Sequence, residues 1–182
     1  MKKDWINEMR KTERLKLSFN DFSTHYLIVL FLFIPLILVA IDFFRLYILD
    51  SYNGVRTPQE MLRVSIPFGA IGILFFFIQY NRLRFKIVET VLSREKLQEI
   101  IVKTAEELEW FPVINTTDLI VSKTNPKWRT GSWGEQITII FDKDKVLINS
   151  ICDPNRKSSV VSVGRNKRNV NKLIDNLKNA SR

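Results

Sequence analysis

A single cysteine, Cys152, and a single histidine, His25, are all that 182 residues supply of the two side chains most often recruited as nucleophiles, redox centres and zinc ligands. One cysteine excludes an internal disulfide, which fits a reducing compartment. His25 stands at the edge of a long apolar run, so Cys152 has no histidine in its own half of the chain and a Cys–His nucleophile is unsupported. A structural zinc site lacks ligands for the same reason. Cys152 reads instead as a small apolar strand residue. Glycine is scarce too, with six in the chain, and no phosphate-cradling GxxxxGK[ST] loop or HExxH helix occurs. Asp142 and Asp144 alternate with Lys143 and Lys145 and lack the rest of a calcium loop, so they predict a turn. These absences leave no recognisable catalytic constellation, and no cofactor or metal is predicted.

Acidic residues are missing from the end of the chain. Residues 145–182 carry nine Lys or Arg against Asp153 and Asp175, which accounts for +7 of the net +9. Such asymmetry predicts attraction to something anionic, or else a solvated basic surface. Acidic lipid and another membrane or cytosolic protein are the expected partners. Nucleic acid is disfavoured, because the basic segment contains no recognisable reading module.

Charge is absent altogether from Tyr26–Ile41, and the apolar run resumes after Asp42 with Phe43 and Phe44. A second uncharged run covers Val64–Tyr80. Crossing a bilayer takes about 20 largely apolar residues, and lipid cannot satisfy backbone groups, so both runs are expected to be membrane-spanning helices. The first run begins late and a second follows it without a small-residue cleavage site, which predicts a retained anchor. Lys2, Lys3, Arg10, Lys11, Arg14 and Lys16 precede the first run, and Arg82, Arg84 and Lys86 follow the second. The loop at residues 50–63 is poorer in bases, which predicts both termini in the cytoplasm and the loop outside.

Asp42 and Arg45, three residues apart near the outer end of the first span, share a helix face where they can neutralise each other or reach water, which favours a structural role over transport. Ser65, Gly69 and Gly72 would let two helices approach closely, and a homo-oligomer is compatible with this composition. The first 22 residues place Trp5, Ile6, Met9, Phe19 and Phe22 partly at helical spacing among bases, which suits either a helix in the headgroup region or a loosely ordered tail.

Four segments are therefore expected: a cytoplasmic N-terminal segment at 1–24, a transmembrane hairpin at 25–81, a connector at 82–92 and a cytosolic α+β domain at 93–182. Alternation in the connector suits either a strand or an extension of the second helix. Ser93 is a good N-cap for a helix to about Glu109, with Leu97, Ile100, Ile101, Ala105 and Leu108 as its apolar stripe. Phe111–Ile114, Leu119–Lys123, Gln136–Phe141 and Val146–Ile151 read as an antiparallel meander, with a further strand suggested at Ser159–Val163. Asn166 is the expected cap of a last helix that buries Val170, Leu173, Ile174 and Leu177. The fold class is an α-helical membrane hairpin plus α+β, a small antiparallel sheet of four to five strands with two helices on one face.

Two constellations stand above this background. Trp128, Arg129 and Trp133 share a glycine-containing loop that can stack on a planar group, lie against headgroups, or fold back over the core. Arg165, Asn166, Lys167 and Arg168 open the last helix, where free amides and the helix dipole favour anions. Bases are unfavourable at a helix start, so they imply an acidic partner, either an external anion or an internal carboxylate such as Glu135.

The succession of Glu106–Trp110, SWGEQITI at Ser132–Ile139, VLINSICDP at Val146–Pro154 and GRNKRNV at Gly164–Val170 resembles small two-span bacterial inner-membrane proteins of unknown function. The resemblance covers the second half of the chain and loosely the hairpin. It implies a bacterial inner-membrane address and an α+β domain, and no activity. The expectation is a noncatalytic membrane protein that holds a small interaction or assembly module at the membrane. The alternative is a tethered sensor of an anionic ligand or acidic headgroup.

Overall fold

The computed structural model describes residues 3–126, 133–156, 162 and 164–181. In chain order the elements are α1 (Lys3–Thr12), α2 (Phe19–Tyr47), α3 (Pro58–Arg82), β1 (Lys86–Glu89), α4 (Arg94–Glu107), β2 (Trp110–Asn115), β3 (Leu119–Thr124), β4 (Glu135–Asp142), β5 (Lys145–Cys152) and α5 (Arg165–Ala180). The chain is α+β, with two long apolar helices and a five-stranded antiparallel sheet among the described residues. It divides into two compact units, Tyr26–Gln79 and a discontinuous one made of Met1–His25 with Tyr80–Arg182.

The sheet has the order β1-β5-β4-β3-β2. Strands β2 to β5 are the meander that their β-branched alternation predicts, and β4 meets β5 across Lys143–Asp144 with Asp142 opposite Lys145. The fifth strand comes from the connector. Lys86–Glu89 pairs with the outer edge of β5, putting Lys86 opposite Ile148 and Val88 opposite Val146. An open edge with unpaired backbone groups takes up the alternating segment as a strand, which periodicity alone left undecided. The strand suggested at Ser159–Val163 lies outside the described residues apart from Ser162.

One face of the sheet carries α4 and α5. Leu97, Ile100 and Ile101 from α4 and Val170, Leu173 and Leu177 from α5 pack on Ile120, Ile137, Ile139, Val146 and Ile148. Ser93 caps α4, its hydroxyl accepting from the Lys96 amide. The N-cap of α5 is Gly164, not Asn166: Gly164 has φ 78°, and the helix begins at Arg165.

The opposite face is also buried, which the expected two-layer arrangement does not provide for. Alternation turns Leu119, Val121, Ile140, Leu147 and Ile151 that way, and all are buried. The N-terminal helix α1 covers it, with Ile6 and Met9 buried. Arg10 fixes the docking: it donates to the Phe141 carbonyl and pairs with Asp118 at 2.9 Å and Asp142 at 3.7 Å. Beyond α1, Leu15 N donates to Leu83 O and Phe85 N to Glu13 O, forming a bridge between Arg14 and Arg84. Residues 3–15 are therefore part of the sheet domain. The pattern concealed this because α1 is short and its apolar face suits a protein surface as well as a lipid one.

In the other unit, α2 and α3 pack through the glycines of α3. A Cβ at Gly69 would collide with Leu36 Cδ1, and one at Gly72 would stand 3.1 Å from Phe33 Cε2. Ser65, Gly69 and Gly72 are buried, while Leu30, Phe31, Ile37, Ile66, Leu74 and Phe77 are more than half exposed or close to it. Both helices are long and apolar enough to cross a membrane, and only 11% and 17% of their most apolar stretches are buried. Asp42 and Arg45 make no ion pair within 4 Å among the described residues.

Candidate functional site

The bases at the start of α5 separate into two environments. Arg165 turns inward. Its Nη2 lies 3.0 Å from Glu135 Oε2 and 3.3 Å from Thr124 Oγ1, and the Glu135 side chain has no exposed surface. Thr124 Oγ1 donates to Glu135 Oε2 at 2.6 Å and accepts from the Glu135 amide at 2.9 Å. Gly134 makes this closeness feasible, with φ 108° and a position where a Cβ would come within 2.7 Å of Thr124 O. The acidic partner that Arg165 demands is thus internal, and Glu135 is that partner.

Asn166 is half-buried: its Oδ1 accepts from Ser150 Oγ at 3.0 Å and its Nδ2 faces Cys152 Sγ at 3.8 Å. Asn169, one turn on, is buried, accepts from Trp110 Nε1 at 3.3 Å and donates to Ser150 Oγ at 3.3 Å. This polar ladder locks the first turn of α5 onto β5. Lys167 and Arg168 remain exposed.

Lys167 and Asn166 face a cavity of about 350 Å³ whose far wall is the end of α3 and strand β1. Arg82, Arg84 and Lys86 join Lys167 there, so four bases converge from two distant stretches of sequence. Ser150, Ser162 and the amides of Asn81, Asn166 and Asn171 supply polar groups between them. No carboxylate and no imidazole lines it among the described residues. Arg84, Lys86 and Lys167 make no ion pair among the described residues. The Asn149 side chain holds the cavity wall in shape, its Nδ2 donating to Arg82 O at 2.8 Å and Arg84 O at 3.0 Å. Its Oδ1 is buried without a hydrogen-bond partner among the described residues.

Of the expected site residues, Asn166 and Lys167 line this cavity, Arg165 belongs to the buried pair, and Arg168 is exposed outside the cavity lining. Sequence reasoning missed Arg82, Arg84 and Lys86 as site residues. It used them to orient the helices, and the signal that could have found them is the alternation of Arg84 and Lys86 with Phe85 in a segment suited to a sheet edge. Trp128 and Arg129 of the candidate contact loop lie outside the described residues. Trp133 is half-buried, and its carbonyl accepts from Arg156 at 3.4 Å.

A second carboxylate site lies nearby. Asp153, 2% exposed, accepts from Lys123 at 2.8 Å and faces Arg156 Nε at 3.5 Å. Its charges are matched internally, as with Glu135. No group of three or more His, Cys, Asp or Glu is placed to hold a metal ion among the described residues.

Comparison with protein-family models, curated proteins and solved structures finds no match for this chain.

Proposed function

We propose that this chain is a noncatalytic integral membrane protein, anchored in a bacterial inner membrane by α2 and α3 with both termini cytoplasmic, whose sheet domain binds an anionic ligand at the membrane face. The observation that carries the reading is the convergence of Arg82, Arg84, Lys86 and Lys167 on one cavity without a carboxylate among its described lining residues. Like charges held together repel, at a cost that falls when an anion enters between them. Arg165 pairs with Glu135 and Lys123 with Asp153, whereas the cavity bases Arg84, Lys86 and Lys167 have no ion-pair partner among the described residues. Arginine adds planar donors suited to phosphate oxygens, and lysine adds mobile charge. A module that recruits a protein partner remains compatible with this site if the partner presents a phosphate or acidic group there.

The test is thermal unfolding of the full chain in a neutral detergent, with and without pyrophosphate. Binding to the folded state raises the midpoint with ligand concentration, by about 2.7 kcal/mol of stability at a hundredfold excess over Kd. The combined Arg84→Glu and Lys167→Glu variant is expected to unfold at the parent's ligand-free midpoint and to lose the shift. An equal shift in parent and variant rejects the cavity as the site.

A further inference from the structure

We infer that the ligand of this cavity is a phospholipid headgroup carrying at least two negative charges and a hydroxylated spacer, taken from the bilayer that holds α2 and α3. The inference rests on the anion-binding reading and narrows its ligand by charge, polarity and place.

Charge comes first. Arg84, Lys86 and Lys167 line the cavity without ion pairs among the described residues, and Arg82 adds a fourth base. A single phosphodiester, with one negative charge, leaves most of that charge uncompensated. Two phosphates joined through a short spacer match it more closely, with each base near the membrane surface contributing to attraction. A choline headgroup would bring a quaternary ammonium among the bases and gain nothing.

Polarity specifies the spacer. The groups between the bases are hydroxyls and amides, Ser150, Ser162, Asn81 and Asn171 among them, which can both donate to and accept from a polyol. A cavity of about 350 Å³ accommodates a small headgroup and leaves acyl chains outside.

Place identifies the source. Asn81 and Arg82 are the last two residues of α3, directly after the uncharged run that ends at Tyr80. The cavity wall is covalently continuous with the apolar helix, and bases that directly follow a span are attracted to lipid phosphates. A soluble phosphorylated polyol would share the headgroup chemistry but would require no such continuity.

The experiment is native mass spectrometry of the full chain in a neutral detergent, with equimolar diphosphatidylglycerol, phosphatidylglycerol and phosphatidylcholine. Soluble glycerol phosphate and pyrophosphate are titrated in parallel by thermal unfolding. Retention of diphosphatidylglycerol at least about tenfold above phosphatidylcholine is expected, and Arg84→Glu with Lys167→Glu is expected to reduce it at least about tenfold. A control with the same charge change outside the cavity, Lys103→Glu with Lys178→Glu, is expected to keep it. Equal retention of the three lipids, or equal loss in the control, overturns the inference. Binding of soluble anions without lipid selectivity overturns the lipid source and leaves anion recognition intact. Failure of every anion to bind overturns both readings. Circular dichroism melting of each variant separates lost binding from lost folding.

Discussion

The two acids nearest the candidate site show how charge is divided between structure and function. Glu135 is fully buried, and its compensation is Arg165, itself 14% exposed in its side chain. Removing one partner of a buried pair strands the other charge in a medium of low polarity, whereas removing both is often neutral. Glu135→Gln is therefore expected to destabilise the domain by about 3 kcal/mol, and Glu135→Leu combined with Arg165→Met by much less. Denaturant unfolding of the three chains checks this, and additive losses would show that the pair is not coupled. The same geometry makes Arg165→Glu a poor probe of ligand binding, because it would set two carboxylates together in the core. Lys167 and Arg84 are exposed and make no ion pair among the described residues, so their reversal reports on the cavity. Sequence could not assign Arg165 to one role or the other: a base at a helix start requires an acid, and the identity of that acid depends on the sheet register that brings Glu135 beneath it.

At the scale of elements, helix α4 and strands β2 to β5 were legible because a stripe at helical spacing and alternation of β-branched residues describe surfaces buried on one side. Strand β1 and helix α1 were less legible, since each takes its identity from a partner distant in sequence. Val88 is a strand residue because Val146 lies opposite it, and Met9 is core because the far face of the sheet needs cover. A piece comprising residues 89–182 would lose nearly all of β1 and all of α1, uncovering Leu119, Val121, Ile140, Leu147 and Ile151. It is expected to aggregate, whereas residues 3–16 joined by a flexible linker to residues 83–182 should remain soluble, as size-exclusion chromatography would show. Equal solubility of the two would mean that α1 contributes little to the domain.

Helix α4 also carries a pH signature. Its Glu95 carboxyl is held below the usual 4.5 by a hydrogen bond from its own backbone amide and one from Ser93, and Glu99 by Lys96. A depressed carboxylate stabilises the fold above its unfolded pKa, and that contribution disappears as pH falls through the lower folded value. Melting temperature is therefore expected to fall on acidification below about pH 4.5, and less steeply in Glu99→Gln. A Glu99→Gln curve parallel to the parent's would remove Glu99 from this account.

For the molecule as a whole, the discontinuous domain constrains topology more tightly than the distribution of bases does. The chain leaves this unit after His25 and re-enters it at Tyr80, and the two flanks are tied together through the Arg14–Arg84 bridge and the pairing of Arg10 with Asp118. A segment whose ends are joined in one domain must cross a bilayer an even number of times, and two helices between those ends are long and apolar enough. If both helices cross, the domain's connectivity requires a hairpin with its two flanks on one side, and the cytoplasmic sidedness proposed for it rests on the flanking bases. Both are testable with thiols. In a Cys152→Ser background, Val55→Cys in the exposed loop is expected to react with a membrane-impermeant maleimide on intact cells, and Lys11→Cys only after permeabilisation. Labelling in the reverse order would invert the orientation and leave the hairpin, because the two positions would still lie on opposite sides. Labelling of both from the same side would break the hairpin itself, and with it the bilayer source proposed for the cavity's ligand.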